Sequence, residues 1–132
     1  MDDPDIRWKQ RFQNFEKAVN HLEKAATINQ PTEVERAGII QFYEVAFELA
    51  WETLKDYLTE AGYDIKSPRE TIKQSFQNEY IEDGHKWLAM LEKRNELAHL
   101  YDEAKVEEAL QLIQNSYVKQ LLLLYHWMKK QL

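Results

Sequence analysis

Glycine and proline are scarce in this sequence, and their scarcity limits what the chain can fold into more than any other feature. Only three of each occur among the 132 residues. Both residue types end helices and form the tight turns that connect strands, so a chain with so few has little to build a sheet from. Apolar residues recur every three or four positions, without sustained alternation. The sequence therefore predicts an all-α fold.

Capping signals place the helix boundaries. Thr32 and Glu35 have the spacing of a capping box, Ser67 precedes a proline at a helix start, and Gly62 is a typical helix terminator. Asn29 is expected to adopt the left-handed conformation after the first helix. Together these signals predict five helices, over residues 5–28, 32–61, 68–77, 84–99 and 103–130.

The apolar positions indicate how the helices pack. The first helix carries one apolar stripe, consisting of Trp8, Phe12, Phe15, Val19 and Leu22. The second is apolar around most of its circumference, Phe42 included, apart from a narrow polar stripe of Gln41, Glu44, Glu48, Glu52 and Lys55. We therefore expect residues 1–132 to form a single domain, an up-and-down four-helix bundle with one extra short helix at 68–77.

Charge and composition exclude several classes of function. The chain has 17 Lys and Arg against 23 Asp and Glu, a net charge of −6, which argues against a broad footprint on duplex nucleic acid. It contains no cysteine, so disulfides and thiolate chemistry are excluded. The acidic start and the short apolar run at 121–124 predict neither a signal peptide nor a membrane span. We expect a cytoplasmic protein.

The segment 92–102, at the end of the fourth predicted helix, holds the most reactive combination of side chains. Asn95 and His99 are four residues apart and share a helix face. Arg94 lies about 140° around the helix from His99, so it joins them only if the last turn loosens. Tyr101 then completes a small polar pocket.

This set of side chains suits metal-free cleavage of RNA. An arginine holds a phosphate, and a histidine transfers protons at neutral pH to or from a 2′-hydroxyl or a leaving oxygen. A structural alternative stands beside this interpretation, since such residues on a helix are a weak signal. In that alternative Arg94 pairs with Glu96 or Asp102, His99 caps the helix and Tyr101 packs.

A di-metal site is a weaker alternative. Its candidate ligands are the pairs Glu96/His99 and Glu82/His85, together with Glu44 and Glu48 of a neighbouring helix. Known sites of this kind place such pairs in the middle of helices. Glu82 and His85 instead straddle a predicted helix start, so we expect no metal.

The sequence as a whole resembles the HEPN-domain proteins, in the branch called nucleotidyltransferase substrate-binding proteins or HepT-type toxins. The resemblance rests on RWKQRF at 7–12, GIIQFYE at 38–44, FELAW at 47–51, SPRE at 67–70, and Arg94, Asn95, His99 and Tyr101. It implies a helical homodimer in which two copies of the Arg/His motif face one cleft. It also implies a minimal nucleotidyltransferase as partner, encoded by a neighbouring gene, and no cofactor.

The resemblance implies one of two functions. As a toxin, the protein is a metal-independent ribonuclease in which Arg94 holds the phosphate, His99 transfers the proton and Asn95 orients the substrate. The partner then neutralises it by transferring AMP to Tyr101.

The alternative is a non-catalytic subunit that presents substrate to the nucleotidyltransferase. In that case a groove formed by Glu44, Glu48 and Trp51 binds the substrate or the partner.

Overall fold

The computed structural model describes residues 3–99 and 102–132, and helices make up most of this length. They are α1 (Pro4–Ala26), α2 (Glu33–Glu60), α3 (Pro68–Gln77), α4 (Gly84–Leu97), α5 (Glu103–Leu112) and α6 (Val118–Lys129), with a π-helical segment, Ile113–Tyr117, joining the last two. No strand occurs in these two ranges, which confirms the all-α prediction.

The capping signals act as predicted at both ends of α2. The Glu35 amide donates to the Thr32 hydroxyl at 3.2 Å, and the Thr32 amide donates to the Glu35 carboxylate at 2.9 Å. At the other end Gly62 has φ of 100°, a backbone conformation that side chains other than glycine rarely adopt. Its neighbour Tyr63 donates its amide to the Leu58 carbonyl at 2.9 Å, which closes the helix end.

Three predicted helix bounds and one predicted left-handed residue are corrected. Helix α1 ends at Ala26 because Thr27 caps it, its hydroxyl donating to the Lys24 carbonyl at 2.7 Å. The left-handed residue that follows is Gln30, with φ of 52°, and not Asn29. Helix α4 ends at Leu97, two residues before His99, and the last helix is interrupted by its π-helical segment.

Helix α2 is the centre of the fold and contacts every other helix. Trp8 near the start of α1 packs against Tyr57 near the end of α2, and His21 near the end of α1 packs against Phe42, so these two helices run antiparallel. Phe42 is nevertheless 37% exposed, although it belongs to the apolar part of α2.

The last helix also runs antiparallel to α1. Tyr125 of α6 stacks on Phe12, with 5.6 Å between ring centroids, whereas Gln114 donates to the Ala26 carbonyl at the opposite end of α1. Helix α4 is attached to α2 by the buried Tyr43 hydroxyl, which donates to the Met90 carbonyl at 2.8 Å. Neighbouring helices therefore alternate in direction where these contacts define it.

A charged network joins α1 to α2 on the side of the bundle near Trp8. Arg11 donates to Glu52 and, at 2.7 Å, to Asp56, whose side chain is only 4% exposed. Burying a carboxylate without a partner is costly, so Arg11 holds the two helices in register.

No helix within residues 3–99 and 102–132 has both the length and the apolar character needed to cross a bilayer.

Candidate functional site

The candidate site lies where α4 ends and the chain turns toward α5. The α-helical hydrogen bonds stop at Leu97, and His99 donates its amide to the Glu96 carbonyl at 2.9 Å. Asp102 then caps α5 by accepting the Ala104 amide at 2.9 Å. Only residues 98–102 separate the two helices, and this short connection keeps the start of α5 beside the end of α4.

Arg94 turns toward α2 and away from His99. Its guanidinium donates to the Glu48 carboxylate and lies 5.9 Å from the centre of the Phe47 ring. Its side chain is only 25% exposed, and its buried Nε donates to no hydrogen-bond partner. Arg94 is therefore anchored to α2, and Glu48 replaces both Glu96 and Asp102 as its carboxylate partner.

Glu44 lies one turn before Glu48 on α2 and shares the electrostatic environment of Arg94. Partial burial raises the pKa of the Glu44 carboxyl, and the charge of Arg94 opposes that shift. The predicted catalytic arginine and the predicted α2 groove are therefore two parts of one surface.

Trp51 is less available than a groove residue would be. Its side chain is buried, and its indole Nε1 has no hydrogen-bond partner. The Lys55 ammonium lies 5.9 Å from the ring centre. Of the three groove residues, only Glu44 and Glu48 are partly exposed.

Asn95 and His99 lie together, away from the contact that Arg94 makes with α2. With Glu96 and Lys105 they line an open concavity of about 410 Å³. Both Asn95 and His99 are exposed, so no side chain in the described ranges covers them. The structure thus brings together two of the three predicted catalytic residues and adds Lys105, whereas Arg94 of the same chain does not line this space.

The charge of Glu96 is already balanced at the edge of the concavity. Its carboxylate accepts a hydrogen bond from Lys93 at 2.9 Å, which lowers the pKa of Glu96, and Lys105 lowers it further. The same hydrogen bond raises the pKa of Lys93. Lys105 therefore remains the cation that faces the open space beside His99.

Two further sequence predictions concern the modification of Tyr101 and a di-metal site. Tyr101, the expected site of modification, lies outside the described residues. For the di-metal alternative, Asp83 caps α4 and Gly84 begins it, so Glu82 and His85 do straddle a helix start. In the described part of the chain, no three or more His, Cys, Asp and Glu side chains are grouped to hold a metal ion.

Comparison with known proteins identifies the family. The family described as "Nucleotidyltransferase substrate binding protein like" matches residues 10–130. The chain belongs to this family. The fold of this substrate-binding-like protein is similar to the crystal structure of a protein from Thermus thermophilus, with 27% identity, a TM-score of 0.80, and coverage of 85% of this chain and 96% of that one. No curated protein matches the sequence.

Sequence reasoning missed one residue of this family member's site, Lys105, and one contact, between Glu48 and Arg94. Lys105 is in the first turn of α5, and its position just after the reactive segment was a usable signal, because a short connection keeps that turn close to α4. The pairing of Glu48 with Arg94 joins residues 46 positions apart, and no local pattern indicates it.

Proposed function

We propose that this protein acts with a nucleotidyltransferase and is a toxin-like ribonuclease that needs no metal ion. The observation that carries the proposal is the concavity shared by Asn95, His99 and Lys105, which places an amide, an imidazole and an ammonium around one open space. Its volume lies in the range of pockets that bind small molecules, about 300–1,000 Å³.

The reaction that these groups support is attack of a ribose 2′-hydroxyl on the neighbouring phosphorus. His99 accepts the hydroxyl proton, the bond from phosphorus to the 5′-oxygen breaks, and that oxygen takes up a proton. Lys105 stabilises the negative charge that develops on the phosphate. The products are a 2′,3′-cyclic phosphate and a free 5′-hydroxyl.

A homodimer supplies the groups that one chain lacks. Within one copy Arg94 faces α2, so its guanidinium reaches the phosphate from a second copy after releasing Glu48. The two copies also provide two His99 imidazoles, one to accept the proton of the 2′-hydroxyl and one to donate a proton to the leaving oxygen. We therefore propose that both Arg/His motifs face one cleft.

The test is cleavage of a single-stranded RNA by the purified protein in the presence of a chelator. Loss of a proton-transferring group typically reduces a rate by about 10²–10⁴-fold, and we expect at least a hundredfold loss in His99→Ala. Lys105→Ala should lose activity as well, whereas His126→Ala, which removes an exposed imidazole of α6, should retain it. Equal rates for the wild type and His99→Ala would refute catalysis at this site.

Regulation by the partner is a separate part of the proposal. The nucleotidyltransferase transfers AMP from ATP to the Tyr101 hydroxyl and releases pyrophosphate, which adds a charged, bulky group two positions after His99 in the sequence. Mass spectrometry after incubation with partner and ATP should locate the added AMP on Tyr101. A Tyr101→Phe variant that still gains AMP would refute this assignment.

A second candidate function is a non-catalytic substrate-binding subunit, and the pairing of Arg94 with Glu48 favours it. The cation expected to hold phosphate is neutralised within its own chain, which fits a binding surface on α2 formed by Glu44 and Glu48. The variant Glu48→Gln separates the two functions. It should raise RNA affinity and cleavage if Arg94 binds phosphate, but weaken the complex with the nucleotidyltransferase, without any cleavage, if this surface binds the partner.

A further inference from the structure

A small cavity lies where the turn between α3 and α4 meets α6. Its volume is about 70 Å³, and the residues that define its chemistry are Glu79, Tyr80, Glu82, Trp87, Gln120 and Trp127. None of the residues proposed for RNA cleavage lines it. The cavity is therefore independent of the proposed ribonuclease site.

Gln120 is the first indication that the cavity receives a ligand. The residue as a whole is only 8% exposed, yet its amide forms no hydrogen bond with any residue in the described part of the chain. Neither amide atom is fully buried, so the amide reaches the open space of the cavity. A glutamine amide both donates and accepts, so a polar group entering the cavity would satisfy it.

The charge around the cavity selects the sign of that group. Glu79 and Glu82 line it, and neither forms an ion pair within residues 3–99 and 102–132. No lysine or arginine is among the lining residues. The cavity therefore repels a phosphate or carboxylate and attracts a cation.

Aromatic rings form the rest of the wall. Trp127 stacks on Tyr80 with 4.8 Å between ring centroids, and Tyr57 packs edge-on against both. These contacts hold Trp127 and Tyr80 in fixed positions. Trp87, which is 1% exposed, lines the cavity from α4. Indole rings attract cations more strongly than the other aromatic side chains do.

The size of the cavity limits the ligand to a small head group. A pocket for a whole small molecule has a volume of about 300–1,000 Å³, whereas a single water needs about 10–15 Å³. We infer that the cavity binds a guanidinium group. A planar guanidinium packs flat on an indole, donates to the Gln120 carbonyl oxygen, and offers further N–H groups to the carboxylates of Glu79 and Glu82.

The experiment is a titration of the full chain followed by the indole N–H signals in NMR spectra. Methylguanidinium is the probe, and methylurea, which has nearly the same shape but no charge, is the matched control. A Trp127→Phe variant assigns the Trp127 signal. We expect methylguanidinium to shift that signal in a saturable way. Methylurea should bind with an affinity at least tenfold lower.

Two sets of variants test the assignment of the groups. The double variant Glu79→Gln/Glu82→Gln changes only exposed side chains and should weaken methylguanidinium binding at least tenfold, whereas Asp64→Asn, an exposed carboxylate elsewhere, should not. Gln120→Met keeps the length of the side chain and should also weaken binding. Equal shifts with both probes, or an affinity unchanged by the double variant, would overturn the inference.

The same titration distinguishes two sources of the guanidinium. Agmatine represents a free small molecule, and a blocked Gly-Arg-Gly peptide represents an arginine on a partner protein. Tighter binding of the peptide would indicate a protein partner, since Leu123 and Trp127 at the rim would contact the peptide backbone. Tighter binding of agmatine would indicate a free ligand.

Discussion

Arg94 connects the predicted catalytic site to the predicted groove on α2, which the sequence patterns indicate as separate sites. Its separation of about 140° from His99 on an ideal helix directs it away from the concavity, toward α2. There Glu48 and the Phe47 ring compensate its charge. Its Nε nevertheless remains buried without a partner. The anchoring is therefore incomplete, which fits a side chain that exchanges Glu48 for a phosphate.

The raised pKa of Glu44 predicts a specific dependence of stability on pH. Because burial raises this pKa above its ordinary value of 4.5, the folded state binds the proton more tightly than the unfolded state does. The resulting stabilisation is present at low pH and is lost as the pH rises through the folded-state pKa. Glu44→Gln removes the titrating group. Its free energy of unfolding relative to wild type should therefore increase between about pH 4 and about pH 7.

Urea unfolding at the two pH values measures this difference. Glu60→Gln is the control, because it replaces an exposed glutamate at the end of the same helix. It should leave the pH dependence of wild type intact. A Glu44→Gln variant whose stability differs from wild type by the same amount at both pH values would contradict the assignment.

The buried carboxylate of Asp56 predicts a large effect of removing Arg11. In Arg11→Ala the carboxylate loses its cation, and we expect the free energy of unfolding to fall by about 3 kcal/mol. This value is near the low end for breaking a buried pair, because Arg11 is one-third exposed. The double variant Arg11→Met/Asp56→Leu removes both charges and should recover most of this loss. Denaturant unfolding would contradict the prediction if the single and double variants were equally destabilised.

At the scale of elements, the helix ends were predictable because their chemistry is local. The capping box of Thr32 and Glu35, the turn at Gly62 and the start at Ser67 each depend on residues within a few positions. The π-helical segment was not predictable, since it contains no proline or glycine to mark it. There the Val118 amide donates to the Ile113 carbonyl, and both Ile113 and Tyr117 remain buried in the core.

Two glycines, one within α2 and one just after it, offer a matched test of this local chemistry. Gly62 has φ of 100°, so backbone strain in Gly62→Ala should lower the free energy of unfolding by about 1–2 kcal/mol. Gly38 lies within the helix, and an added Cβ there would meet no atom within 4 Å. Gly38→Ala should therefore raise the free energy of unfolding by about 0.5–1 kcal/mol. Thermal unfolding that moves both variants in the same direction would contradict this prediction.

At the scale of the whole molecule, the dimer determines whether the proposed cleft is complete. An exposed face of α2 carries Phe42 and Val45, which are 37% and 41% exposed, next to the surface of Glu44 and Glu48. A second copy packed on this face would bury both apolar side chains and bring two copies of α2 together. The aromatic content of the first two helices is otherwise used in the core.

Sedimentation tests this arrangement. At micromolar concentration we expect a species of twice the 15.8 kDa chain mass. Val45→Glu places a charge in the proposed interface and should shift the equilibrium to monomer. Leu132 lies away from this face and is 61% exposed, so Leu132→Glu should leave the equilibrium unchanged. A wild-type monomer would remove the shared cleft and the proposed source of Arg94.

Local sequence patterns were sufficient to predict the all-helical class, most helix ends and the segment that carries Asn95 and His99. Helical periodicity and capping depend on spacings of three or four residues, and such spacings are visible in a linear chain. The family resemblance added longer-range information, because it rests on an ordered set of motifs along the whole chain.

Which side chains meet depends on the packing of the helices. This packing paired Arg94 with Glu48, linked Arg11 to Asp56, placed Lys105 beside His99, and left Gln120 unpaired in a cavity bounded by carboxylates and indoles. Each arrangement depends on how helices distant in sequence rotate and pack against one another. That rotation is set by the core as a whole, so no local pattern encodes it.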